Sequence, residues 1–140
     1  MSRLLTINDL VLEGRSDESW SRIVNGVSLT LDKGEVLGLI GESGAGKSTV
    51  GLAAMGFTRD GVRIAGGSVE FDGIDLVNAS ANTKRNLLGK RIAYVAQSAA
   101  ASFNPAHKII DQHTEAPLHY RIQKRMEAQE DAMDLYERLR

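Results

Sequence analysis

The stretch Gly41-Glu42-Ser43-Gly44-Ala45-Gly46-Lys47-Ser48, with Thr49 after it, constrains this chain more than any other feature. It fits the pattern G-x-x-x-x-G-K-[ST], whose mechanism requires a strand before it and a helix after it. The sequence offers both. Val36-Leu37-Gly38-Leu39-Ile40 is a short continuous apolar run, as expected of a strand buried on both faces of a parallel sheet. A helix is predicted from about Lys47 to Met55.

The chemistry of such a loop follows from its residue types. Glycines at 41, 44 and 46 permit backbone conformations and close approach that side chains would block. Successive N–H groups then turn inward as an anion nest, and the start of the helix adds partial positive charge. Lys47 is placed to neutralise the β- and γ-phosphates of a nucleotide, and the Ser48 hydroxyl to ligate Mg2+. The candidate binding residues are therefore Gly41, Glu42, Ser43, Gly44, Ala45, Gly46, Lys47, Ser48 and Thr49. The loop alone does not name the chemistry, because small-molecule kinases, GTPases, helicases and transport ATPases all use it. No N/T-K-x-D guanine reader is present.

The rest of the chain reads as an α/β arrangement. Leu4–Leu12 and Ile23–Leu31 are predicted strands, joined by a polar loop through Gly14, Arg15, Ser16, Asp17 and Glu18. Gly56 to Gly67 is a predicted connection with a short strand at Val62–Ile64, followed by a strand at Ser68–Asp72. Asp72-Gly73 has the composition of a hairpin turn. A short helix is predicted at Asn82–Leu88, and a second apolar strand over Arg91–Ala96 that ends at Gln97. Beyond Pro105, Ile122, Met126, Met133 and Tyr136 keep roughly helical spacing in a charged segment. This predicts one amphipathic helix from Glu115–Pro117 to Arg140, its stripe buried in a helical subdomain. No C-cap glycine or following proline closes that helix, so a longer domain is expected.

Composition excludes several classes. A formal net charge of −1 gives no long-range attraction to nucleic acid, and the basic clusters are interleaved with acids. With no cysteine, neither a disulfide framework nor a Cys-based zinc site is possible. No window approaches the roughly 18 apolar residues of a membrane span, so a membrane role would act through a partner.

Arg91-Ile-Ala-Tyr-Val-Ala-Gln97 ends an apolar strand in glutamine about fifty residues after the phosphate loop. That spacing resembles the Q-loop of ABC-transporter ATPases. Ser102-Phe103-Asn104-Pro105 resembles the Ser-Leu-Asn-Pro that follows the Q-loop in the dipeptide, oligopeptide and nickel importer branch. Val24–Glu35 is similar to the strand and turn leading into that family's loop, and Ser68–Leu76 to its second antiparallel strand pair.

The resemblance implies an incomplete P-loop NTPase fold of the ABC ATPase kind. It would hold an antiparallel β subdomain, part of the parallel core sheet and the start of a helical subdomain. Residues 1–105 would carry the N-terminal part of the nucleotide-binding domain and 106–140 the start of the helical subdomain. The implied cofactors are ATP and Mg2+, with Gln97 contacting Mg2+ beside Ser48, and Lys47 and Gln97 as the catalytic contributors within the chain. The implied partners are integral membrane permease subunits, a second ATP-binding subunit and, indirectly, an extracytoplasmic substrate-binding protein, with no nucleic acid. The implied location is the cytoplasmic face of the membrane.

The chain also departs from the family pattern. The adenine-stacking aromatic falls near Gly14, which has no ring, leaving Trp20 as the alternative or as a residue packed at the sheet edge. The signature Leu-Ser-Gly-Gly-Gln, the Walker B carboxylates and the switch histidine do not occur in these 140 residues. Lys108-Ile-Ile-Asp111 is too short and too early for Walker B, and His107, His113 and His119 precede the switch position. The expectation is weak nucleotide binding without hydrolysis, with exposed apolar surface where the parallel sheet lacks neighbours. The alternative is a non-hydrolytic remnant or permease-docking module. A small-molecule kinase would leave Gln97 and Ser102–Pro105 as coincidence.

Overall fold

The computed structural model describes residues 2–140. They form two compact units, one running to Ile92 and one over Ala93–Arg140, each described by itself.

The first unit is built on an antiparallel sheet of order β2-β1-β3-β4, with β1 Arg3–Ser16, β2 Ser19–Asp32, β3 Val62–Phe71 and β4 Ile74–Asp75. The two predicted N-terminal strands are both present and longer than expected. They meet at a tight turn, Ser16 pairing with Ser19, in which Asp17 adopts φ 53°. The predicted loop at 14–18 is thus mostly ladder. The short strand and the strand that follows it merge into β3, which runs through Gly66 and Gly67. The Asp72-Gly73 turn forms as read, with φ of 47° and 80°, and joins β3 to β4.

The sheet is heavily bulged, and the bulges decide which residues reach the core. Between Ile7 and Leu10 the β1–β2 register shifts, Asp9 takes φ 46°, and both Ile7 and Leu10 are fully buried. Strict alternation would have sent one of them to the opposite face. Gly67 of β3 makes this possible: a Cβ there would lie 2.4 Å from the Asp9 carbonyl oxygen, and its φ is 84°. Only glycine fits so close to another backbone in that conformation.

One sheet face carries Ile7, Leu10, Leu12, Val24, Val69 and Phe71 into a single core with Leu76. Helix α1, Lys47–Ala53, adds Val50 and Ala53 to it, and α2, Ala81–Leu87, adds Leu87. Ser80 caps α2, its hydroxyl accepting the Thr83 N–H at 3.1 Å.

Two predicted strands do not form. Residues 36–40 lie in no regular element and, among the described residues, no strand pairs with them. Val36 is 94% and Ile40 99% exposed. An apolar run becomes a buried strand only where neighbours supply ladder bonds and covering layers. Residues 91–96 are likewise not a strand: one bridge, Leu88 with Ile92, precedes an irregular stretch with Val95 exposed.

The second unit holds α3 Ala99–Ser102, α4 Ile109–His113, α5 Glu115–His119 and α6 Arg125–Arg138. The single long helix expected here is broken. Arg121 adopts φ 54°, and the Ile122 and Gln123 amides fold back on the Pro117 carbonyl at 2.8 and 3.4 Å, closing α5 with a left-handed cap. The buried positions of α6 are Ala128 and Ala132, and Tyr136 on the same line bonds His113 Nδ1 at 2.9 Å. The Ile122, Met126 and Met133 stripe is exposed rather than buried, because the small alanines form the close contact.

Candidate functional site

The glycine-rich loop is held at both ends by the first unit. Its entry follows the turn Asp32–Glu35, where the Glu35 carboxylate accepts the Asp32 N–H at 2.7 Å and the Glu35 N–H donates to the Asp32 carbonyl at 3.2 Å. Its exit is α1, anchored in the core by Val50 and Ala53. Gly46 is the N-cap of α1, with φ 85°, no capping side chain, and its carbonyl accepting the Val50 N–H at 2.9 Å.

Gly46 also marks where the loop touches the sheet. A Cβ at this position would lie 3.0 Å from Val24 Cγ2 and 3.5 Å from the Ile23 carbonyl oxygen, both in β2. The combination of left-handed backbone and contact with a buried strand residue explains why the pattern needs glycine here.

Inside the loop, Lys47 turns back on the residues that precede it. Its Nζ donates to the Gly41 carbonyl at 2.6 Å and to the Glu42 carbonyl at 2.5 Å. Gly41 lies close enough that a Cβ would meet Ala45 Cβ at 3.5 Å and Lys47 Cδ at 3.8 Å. The backbone therefore curls around an ammonium group, with Gly44 also at φ 85°. A glycine loop around a fixed cation, opening onto exposed Ser43, Gly44 and Ser48, has the chemistry of a receptor for a polyanion. This donor set fits phosphate groups.

The structure thus brings Gly41, Glu42, Ser43, Gly44, Ala45, Gly46, Lys47, Ser48 and Thr49 into one loop-to-helix element. Gln97 stands in the second unit, exposed at a bend before α3. Ser102, in the segment after it, donates to the Ser98 carbonyl at 2.9 Å and closes α3.

Trp20 packs against the sheet. The Arg63 guanidinium lies 4.2 Å from its ring centroid, and Glu13 holds that guanidinium at 2.7 Å. Trp20 pairs with Arg15, and Arg63 with Glu13, so these four residues share a sheet face. Leu12 and Gly14 belong to the other face, which carries Val24 and the loop. No residue pattern signals this arrangement, because facing depends on the bulges.

An α/β unit with a glycine loop feeding a core-anchored helix defines a nucleotide-phosphate class of protein, and the comparisons narrow it. The sequence model of the ABC transporter family matches residues 24–140, and the chain belongs to that family. It is 36% identical over 106 residues to the peptide transport system ATP-binding protein SapD of Salmonella typhimurium, covering 76% of this chain and 32% of SapD. SapD of Escherichia coli O157:H7 gives the same identity and coverage. The protein y4tR of Sinorhizobium fredii, described as a probable peptide ABC transporter ATP-binding protein, is 35% identical over 134 residues. That match covers 94% of this chain and 40% of y4tR. The chain thus spans between 32% and 40% of the length of these relatives. Among the described residues, no helix is long and apolar enough to cross a membrane.

Proposed function

We propose that this chain is ATP-binding machinery of an ABC importer for peptides, with Gly41–Thr49 holding the nucleotide's phosphates. The observation that carries this is the loop itself, glycine-backed on Val24 and wrapped around the Lys47 ammonium at 2.6 Å from the Gly41 carbonyl. The peptide-transport names of the relatives support the cargo class.

In this reading Lys47 exchanges its loop carbonyls for phosphate oxygens, a gain because charge-assisted bonds to an anion outweigh bonds to neutral carbonyls. The amides from Gly44 to Ser48 orient the polyphosphate, and the Ser48 hydroxyl would hold Mg2+. Mg2+ would supply charge neutralisation between the β- and γ-phosphates. Partners would be permease subunits at the cytoplasmic membrane face, a second ATP-binding subunit and, through the permease, an extracytoplasmic binding protein. Residues 1–105 would serve as the nucleotide-binding portion and 106–140 as the start of the helical portion. These 140 residues contain no signature and no Walker B carboxylate pair, so on their own they bind without turnover.

Calorimetric titration with Mg-ATP tests this. Binding is expected, with Lys47→Ala weakening it at least about 10-fold, as befits loss of a cation on phosphate. Equal affinity in the variant would overturn the assignment. Steady phosphate release that Lys47→Ala abolishes would overturn the absence of turnover.

A further inference from the structure

In this sequence an asparagine precedes a glycine only at Asn25-Gly26; the other asparagines precede Asp9, Ala79, Thr83, Leu87 and Pro105. The pair sits at an irregularity of β2. Val11 pairs with Asn25 and Leu10 with Val27, so Gly26 has no partner in β1 and is a bulge residue. Its φ of 76° is the left-handed conformation that such a bulge takes and that glycine tolerates. Both residues are exposed, and a Cβ on Gly26 would meet nothing within 4 Å.

The Asn25 carboxamide also has a cation at its oxygen. Arg22 Nη1 donates to Asn25 Oδ1 at 3.1 Å. A donor there draws electrons from the side-chain carbon and stabilises the oxyanion that forms when a nucleophile adds to it. The Gly26 amide nitrogen is the neighbouring nucleophile, and no side chain on Gly26 hinders it. Because β2 is an outer strand, the local opening that brings nitrogen and carbon together disturbs one ladder only.

We infer that Asn25 is a site of spontaneous deamidation through its own backbone, exposed by the Gly26 bulge and promoted by Arg22. The Gly26 nitrogen gives its proton to water and bonds to Asn25 Cγ. The Cγ–Nδ2 bond breaks, and Nδ2 leaves as ammonia with a proton taken from solvent. Water then opens the cyclic imide. Attack at Cγ gives aspartate, and attack at the Asn25 main-chain carbonyl carbon gives isoaspartate. The net change is asparagine plus water to a carboxylic acid plus ammonia, which adds one negative charge to a chain of formal net charge −1. The aspartate product keeps the strand and turns the Arg22 contact into an ion pair. The isoaspartate product lengthens the β2 backbone by one carbon beside Val24. Val24 is buried, and its Cγ2 is the nearest atom to a Cβ placed on Gly46, so the longer backbone strains the packing under the glycine loop.

The test ages the full chain in mildly alkaline buffer and follows it by peptide mapping, with isoaspartate counted by enzymatic methylation. Asn25 should convert before any other asparagine and to both products, in the folded chain as well as in urea. Conversion in urea alone, or first conversion at another asparagine, would overturn the site. Arg22→Ala should slow the loss of Asn25 roughly 3- to 10-fold, less than a buried oxyanion donor is worth because this one is solvated. Arg22→Lys should recover part of the rate, and an unchanged rate in Arg22→Ala would overturn the promotion by Arg22. Arg22 is exposed, and an unchanged unfolding midpoint checks that both variants fold. Asn25→Asp should keep the midpoint of the fresh chain, whereas the aged isoaspartyl fraction should unfold at lower temperature. Equal midpoints for those two would overturn the strain on Val24.

Discussion

Strand β1 and the segment 36–40 both carry large aliphatic side chains and are opposite in structure. Ile7, Leu10 and Leu12 of β1 are fully buried between two paired strands, whereas Val36 and Ile40 are almost fully open. Apolar composition supplies the means to form a buried strand, and paired neighbours decide whether it forms. The lesson is energetic as well as geometric: the same isoleucine is worth kilocalories in one place and close to nothing in the other.

The comparison breaks most sharply on truncation. Leu12→Ala should destabilise the first unit by about 2–5 kcal/mol, the range for emptying a packed site. Ile40→Ala should stay within about 0.5 kcal/mol, as for a surface change. Urea unfolding followed by the Trp20 fluorescence measures both, and equal losses would erase the distinction. Ile40→Ser should also reduce binding of a hydrophobic dye, which Leu12→Ala should raise.

A second variant sharpens the comparison on the sheet side. Gly67→Ala places a methyl 2.4 Å from the Asp9 carbonyl at φ 84° and should cost about 1–3 kcal/mol. The same measurement on Gly38→Ala, where nothing lies within 4 Å, should show little change. Matching losses would mean that the bulge is not fixed as seen.

The smallest effect belongs to Asp72 at the β3–β4 turn. Its carboxylate accepts Arg91 Nη2 at 2.6 Å, and that hydrogen bond together with the Arg91 charge holds its pKa below the usual carboxylate range. A depressed folded-state pKa gives stability that is present above the unfolded value and lost as pH falls through the folded one. Asp72→Asn should therefore flatten the acid limb of the stability–pH curve slightly and leave neutral stability nearly unchanged, as an exposed pair implies. A large neutral-pH loss would contradict this.

Local chemistry made much of this legible. The glycine loop leading into a helix, the Asp72-Gly73 turn, the central parts of the first two strands and the short helix α2 were readable because each is set by residues close in sequence. The rest depended on long-range geometry. Nothing in Asn8-Asp9 or Ile23 announces a bulge, since a bulge is a property of two strands in register. Gly67 hinted at a special backbone without naming the partner it approaches. The break at Arg121 was hidden by helical spacing on both sides of it, and the burial of Ala128 and Ala132 by the larger residues around them. The Gly41–Thr49 element was visible whole, whereas the facing of Trp20 was not.

The bulges of β2 carry a consequence for association between molecules. β2 is an outer strand of the sheet, fourteen residues long, and among the described residues no strand pairs with its outer rim. Such a rim invites a second chain to extend the sheet. The register shifts at Gly26 and Ile23 interrupt the regular spacing that an incoming strand would have to match. The irregularity at Gly26 and Ile23 thus discourages self-templating along this rim.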